Sequence, residues 1–305
     1  MEEDCIEFGR GRVGFVTIVG RPNVGKSTFI NKALGYHLTA VSTRPNTTRK
    51  RWLGILSDKE SQIIFSDTPG VHYAKNRMHE AMANTVIGEV NGGDAILCLC
   101  DATREFGDED RRVAQLVRRA EKPAVLVINK MDTASEVQAV SIAESFQAIM
   151  GDVSVFRISA LTGEGIDSLL DHFRQTLPEG PFLFPDDQLT DVIEREISEE
   201  VIREAANELM RQELPQEIVV KIDDWAENEK KIQIAATIYV ERDSQKAIVI
   251  GKKGQMVNRV IKSAREKLRF DLGKFVDLKL SVKVAPDWQN KKCFLREKGI
   301  VDPAN

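Results

Sequence analysis

The chain has 305 residues, 42% of them hydrophobic and 30% charged, with a formal net charge of −4. A chain of this length buries a sizeable core and favours two domains over one, and its apolar runs stop well short of the roughly 20 residues that cross a bilayer, which argues against a membrane-spanning protein. Four cysteines without a C-x-x-C pair and four histidines without ligand-like spacing argue against zinc and against a disulfide framework; an acidic start (Glu2, Glu3, Asp4, Glu7) argues against a signal or transit peptide, so a cytoplasmic protein with reduced thiols is expected.

In chain order, β-rich apolar runs fall at residues 13–19, 63–65, 95–100, 124–128 and 153–158, with helical periodicity between them. The pattern predicts an α/β domain over 11–177: a mostly parallel sheet with helices on both faces. Pro178, Gly180, Pro181 and Pro185 break both periodicities, so 178–190 reads as a linker. A second, α+β domain is expected over 191–299. It has helical spacing over 191–211, strands over 217–225 and 232–241, helices on either side of Gly251-Lys252-Lys253-Gly254, and a strand over 276–284, giving the order α-β-β-α-α-β. No internal repeat is visible. Between 246 and 292 stand 13 Lys/Arg against 4 Asp/Glu on an otherwise acidic chain, a run that suits either a solvated helix face or a nucleic-acid surface.

Gly20-Arg21-Pro22-Asn23-Val24-Gly25-Lys26-Ser27, followed by Thr28, fits G-x-x-x-x-G-K-[ST] directly after a strand and at the start of a helix. Its glycines let backbone N–H groups approach phosphate, and the helix N-terminus adds its positive dipole end. Lys26 neutralises β- and γ-oxygens and is the catalytic candidate, and Ser27 offers a hydroxyl to Mg²⁺. Asp67-Thr68-Pro69-Gly70 follows the next apolar strand, where Asp67 can hold Mg²⁺ through water and Gly70 can offer its N–H to the γ-phosphate. Asn129-Lys130-Met131-Asp132 closes the strand at 124–128, and the Asp132 carboxylate can accept from both N1 and N2 of guanine, a donor pair adenine lacks. Ser159-Ala160-Leu161, after the strand at 153–158, is placed for a backbone contact to the guanine oxygen.

In this order and at these strand ends the motifs resemble the GTPase superfamily over about residues 12 to 176. Pro22-Asn23, Thr47-Thr48-Arg49 and Asp67-Thr68-Pro69-Gly70-Val71-His72 are similar to the Era branch of it. The resemblance implies a P-loop G domain, GTP rather than ATP, and slow intrinsic hydrolysis: Val71 stands where Ras-like proteins carry a water-orienting Gln, and it is expected to turn away. Asn23 matches the position that helps related GTPases hold a potassium ion. The candidate switch loop lies between Leu38 and Arg51, with Thr48, or else Thr47, reaching Mg²⁺; the chain has Asn46 where the family usually has Gln.

The second domain resembles a type II KH domain, whose G-x-x-G loop clamps about four single-stranded nucleotides. Gly251, Lys252, Lys253 and Gly254 form that loop here, and Arg259, Lys262 and Arg265 are expected to add affinity, since Asn258 stands near a position where the family often has lysine. The resemblance reaches nearly the whole chain and implies binding near the 3′ end of small-subunit ribosomal RNA, a part in 30S subunit assembly, and weak peripheral membrane association, for which the sequence shows no anchor. Two other readings stay open at this point: a nucleotide-gated RNA scaffold with incidental hydrolysis, and a second domain that contacts protein.

Overall fold

The computed structural model describes residues 9–36, 51–71, 76–210 and 218–298. They form two compact units, one holding 9–36, 51–71 and 82–191, the other 192–210 and 218–298 with 76–81.

The first unit is built on a seven-stranded sheet: β1 (Arg10–Val19), β2 (Trp52–Ser57), β3 (Ser61–Asp67), β4 (Ala95–Asp101), β5 (Ala124–Asn129), β6 (Ser154–Arg157) and β7 (Glu179–Pro181). The path runs β2-β3-β1-β4-β5-β6, with β7 added beside β1. β1, β3, β4, β5 and β6 are mutually parallel, and β2 runs antiparallel to β3. The helices between strands are α1 (Lys26–Leu34), α2 (Arg77–Gly92, of which 82–92 belong to this unit), α3 (Asp108–Ala120), α4 (Glu136–Met150) and α5 (Ile166–Thr176). β3 and β4 are buried along their whole length, as strands covered on both faces must be, so their centres, 63–65 and 95–100, read as apolar runs and not as alternation. The chain leaves β1 on one side toward β3 and returns on the other side at β4. That reversal opens a crevice at the carboxyl ends of the strands, where ligands of open α/β sheets bind.

The stretch 178–190 is no free tether. Glu179–Pro181 pairs antiparallel with Arg10, Gly11 and Arg12. Phe182 buries to 3% exposure among Val13, Leu53, Ile55 and Ile64, with Phe184 packed against the same cluster. The buried Gln62 side chain accepts from the Leu183 and Phe184 N–H groups and donates to the Phe184 carbonyl, and Asp191 accepts from the Leu53 N–H and from Arg51 Nη2. Prolines stop helix and sheet periodicity, but two phenylalanines drive the segment onto the sheet, so the first unit runs on to Asp191.

The second unit follows the expected order: α6 (Glu194–Leu209), β8 (Val219–Glu227), β9 (Lys231–Val240), α7 (Asp243–Ile250), α8 (Gln255–Leu272), β10 (Phe275–Val284), then a short α9 (Lys292–Glu297). β9 is central, parallel to β10 and antiparallel to β8. Val260, Ala264 and Leu268, four apart on α8, are buried as that helix packs against β10 and α6. No helix among the described residues is long and apolar enough to cross a membrane.

Candidate functional site

The phosphate loop leaves β1 at Gly20 and enters α1 at Lys26. Gly25 sits at φ 103°, and a Cβ there would lie 2.3 Å from the Asn129 amide nitrogen, so both backbone and space demand glycine. Asn23 also takes a left-handed φ, 65°, which asparagine tolerates better than most residues. Lys26 is 6% exposed, and its Nζ donates to the carbonyls of Gly20 (3.2 Å) and Arg21 (3.1 Å). Burial lowers its pKa to about 8, with the Asp67 charge opposing the shift. Ser27 Oγ donates to Asp67 Oδ2 at 3.1 Å, so hydroxyl and carboxylate converge as hard oxygen donors on one point. That pairing suits Mg²⁺, which takes few protein ligands and completes its shell with phosphate and water; among the described residues no cluster of three His, Cys, Asp or Glu offers an all-protein cage.

Thr68, expected beside phosphate, instead donates its hydroxyl inward to the Ile18 carbonyl at 2.7 Å and is fully buried; it braces β3 to β1. Gly70 lies close against Pro22. Val71 donates its N–H to the Gly20 carbonyl, 3.1 Å, and its half-buried side chain packs against the core cluster that includes Val19 and Val86, so it turns away from the crevice.

At the loops after β5 and β6 the structure divides the labour among the motif residues. Asn129 donates to the Val24 carbonyl (2.7 Å) and accepts the Ala160 N–H (2.9 Å), tying three loops together with both ends of its amide. Expected as guanine contacts, Asn129 and the Ala160 N–H are thus engaged with each other. Asp132 is exposed and receives the Ser159 hydroxyl on Oδ1 at 2.6 Å, which aims the carboxylate. Met131 N–H donates to the Ile158 carbonyl and fixes the loop to the end of β6. Lys130 donates to Asp101 Oδ2 at 2.7 Å. Burial pushes the Asp101 carboxyl up, but hydrogen bonds from Lys130 and Thr103 outweigh it and hold the group below the ordinary carboxylate range. Asp101 was not among the expected site residues, although it ends β4 as Asp67 ends β3. Arg21, expected at phosphate, reaches away from Lys26 to Asp110 on α3. Thr47, Thr48 and His72 lie outside the described residues.

In the second unit Gly251 (φ 72°), Lys253 (φ 52°) and Gly254 (φ 77°) turn the chain between α7 and α8, and both lysine side chains are exposed. The loop delivers them to the N-terminus of an 18-residue helix, where unpaired N–H groups and the dipole add to their charge. Arg259 and Lys262 lie exposed on α8, on the side opposite Val260 and Ala264. Arg265 is placed otherwise: its Nη2 donates to Asp277 Oδ1 and to the Leu278 carbonyl, both 3.2 Å, so it joins α8 to β10 and is not a free cation for RNA.

A crevice with a phosphate loop at one end and the braced Asn129–Asp132 loop at the other defines a GTPase of the P-loop class, and the second unit has the build of a KH domain. The sequence profile described as 50S ribosome-binding GTPase matches residues 15–130, and the KH domain profile matches 213–289. A crystal structure of Era with MgGDPNP and nucleotides 1506–1542 of 16S ribosomal RNA shares 37% identity and a TM-score of 0.91, over 96% of this chain and 100% of that one. Aquifex aeolicus Era, as a tyrosine-to-alanine variant bound to GDP·AlF4⁻, shares 36% identity and a TM-score of 0.90, over 95% and 100%. The chain belongs to the Era family.

Proposed function

We propose that this GTPase uses Lys26, Ser27 and Asp67 to hold Mg·GTP, selects guanine through Asp132, and binds single-stranded RNA at the 3′ end of small-subunit ribosomal RNA through Gly251–Gly254, in the course of 30S subunit assembly. The observation that carries the nucleotide half is the meeting of four strand-end loops on one edge of the sheet, cross-braced by Asn129. Calorimetry with Mg²⁺ present tests it: GDP and GTP are taken up, and ATP fails to compete. Equal competition by ATP would remove guanine selection.

The chemistry follows from charge. Mg²⁺, when bound, neutralises β- and γ-oxygens and so stabilises charge that develops in transfer of the phosphoryl group to water. Lys26 supplies a desolvated ammonium to the same oxygens, stronger there than in bulk water, and Ser27 and Asp67 supply the oxygen donors for the cation. Thr48 is proposed as a further Mg²⁺ contact when the γ-phosphate is present. With Val71 packed on the core, no side chain at the position after Gly70 orients the water, and intrinsic turnover is slow. Potassium enters the proposal at Asn23, whose place beside the phosphates suits a cation that does the work of an arginine finger. GTP turnover is expected to be faster in KCl than in NaCl at equal ionic strength, and equal steady-state rates would remove potassium from the mechanism.

Guanine selection rests on one acid. Asp132→Asn replaces an acceptor pair with one acceptor and one donor, which leaves a guanine N–H unpaired and costs about 1–3 kcal/mol, roughly tenfold or more in GDP affinity. The same amide can donate to the C2 carbonyl of xanthine, so the variant should gain xanthine nucleotide as it loses GDP. Competition titrations read both at once, and a variant that keeps its guanine preference refutes the assignment.

Val71, half-buried and packed on the core, also favours a second reading, a nucleotide-gated scaffold whose hydrolysis is incidental. Single-turnover rates with and without RNA separate the two: acceleration by RNA belongs to the enzyme, unchanged rates to the scaffold. The ribosomal partner implies the compartment of the ribosome, and membrane association has no part in the proposal.

A further inference from the structure

Arg21, the second residue of the phosphate loop, sends its guanidinium sideways and not toward the phosphates' side of the loop: Nη1 donates to Asp110 Oδ2 at 2.9 Å, and the two side chains are 11% and 2% exposed. The same oxygen accepts the Gly107 N–H at 3.0 Å, which fixes the carboxylate to the first turn of α3. Burial raises the Asp110 pKa above its ordinary value, while the Gly107 N–H and the Arg21 charge oppose that rise. Among the described residues Nε and Nη2 of Arg21 are buried without hydrogen-bond partners, and Asp110 is the carboxylate paired with this cation. Removing one member of such a pair strands the other charge in a dry interior.

The backbone of the same residue faces the chemistry. The Arg21 carbonyl is one of the two that hold Lys26 Nζ, and the other belongs to Gly20. Gly20 lies close against β4, since a Cβ there would lie 2.4 Å from the Leu99 carbonyl oxygen, and its own carbonyl takes the Val71 N–H as well. The Lys26 ammonium is therefore set by one carbonyl pressed against β4 and one belonging to a residue bolted to α3. α3 begins only a few residues after Asp101, which takes Lys130 of the base-reading loop, so the segment from β4 into α3 holds both halves of the nucleotide site.

We infer that Arg21 and Asp110 are positioning residues for GTP hydrolysis: their ion pair holds the phosphate loop so that Lys26 is presented to the β- and γ-oxygens, and neither touches the nucleotide. This rests on the GTPase reading, and displacement of a reacting group by about 1 Å is enough to cost up to about a hundredfold in rate.

The test is a cycle of Arg21→Gln, Asp110→Asn and the double variant in the full chain with Mg²⁺, reading kcat and KM for GTP beside the melting temperature. Each single variant should lower kcat by between about ten- and a hundredfold with KM within about threefold, and the double variant should be no slower than the worse single. Three results overturn the inference: loss in Arg21→Gln with normal Asp110→Asn, which marks direct phosphate contact; multiplied losses in the double variant, which mark independent action; and lowered melting temperatures with kcat within about twofold, which mark a purely structural pair. Should a neutral variant fail to fold, Arg21→Lys and Asp110→Glu keep the charges while moving them, and a normal kcat in both of these folded proteins also overturns it. A wild-type chain that hydrolyses no GTP fails the functional reading instead, before the cycle begins.

Discussion

Replacing Lys26 with alanine is expected to lower GTP hydrolysis by about 10³-fold or more, because the site loses the phosphate-loop cation placed for the transferring phosphoryl group. The structure adds a pH signature. Buried beside two carbonyls, the ammonium has a pKa of about 8 in the nucleotide-free protein, depressed first by desolvation and partly restored by Asp67. A bound triphosphate brings negative charge to the same ammonium and raises that pKa. The sign follows: below pH 8 Lys26 is protonated in both states and binding takes up no proton; above pH 8 binding must draw one in, and affinity falls as pH rises, by up to about tenfold per unit, until the complex itself deprotonates. GDP titrations between pH 7 and 9 on wild type, with GTP turnover of Lys26→Ala at neutral pH, check both parts. A flat affinity across that window, or a variant that turns over within about tenfold of wild type, would place Lys26 away from the phosphates.

The second large effect belongs to the other unit. Lys252→Asp with Lys253→Asp reverses two exposed charges in the loop that precedes α8, and single-stranded RNA binding should be abolished while GDP affinity stays within about twofold. The reason is electrostatic: each phosphate neutralised on a single strand contributes about −0.7 to the slope of log K against log salt, so wild type should weaken steeply with salt and the loop lysines should account for roughly 1.4 of that slope. Filter-binding titrations over a salt series, with an RNA carrying the 3′-end sequence of small-subunit ribosomal RNA, measure both quantities. Unchanged affinity in the double variant would count against the loop as an RNA clamp. Arg265→Ala makes a useful contrast, since its ties to Asp277 and Leu278 assign it to α8–β10 packing.

Much of the site could be read locally. A phosphate loop needs two glycines, a lysine and a hydroxyl at fixed spacing after a strand, and all lie within eight residues of chain. The strands that carry two of the other motifs, β3 and β5, are buried almost throughout, so their apolar centres stand out, and each motif follows its strand directly. The Gly251–Gly254 loop was legible for the same reason, being bracketed by two helical periodicities.

What escaped the sequence is what depends on strand order. Arg21 and Thr68 looked like phosphate ligands because of their neighbours in the chain, yet their side chains are claimed by Asp110 and by the Ile18 carbonyl, groups brought near only by the sheet. Asp101 went unnoticed although it ends a strand, since nothing local announces that Lys130 will come to it from β5. The prolines of 178–190 suggested a tether, and Phe182 with Gln62 made it part of the first unit.

The sequence alone therefore determined the nucleotide class and the likeness to an RNA-binding module, because backbone N–H geometry, an ammonium and a base-reading acid are specified by short runs of residues. Tertiary structure decided which polar side chains face the ligand and which brace the loops that do. A side chain of either kind has the same identity in the sequence; the difference is made by the partner that close packing sets within 3 Å of it, a partner 50 to 89 residues away for Thr68 and Arg21.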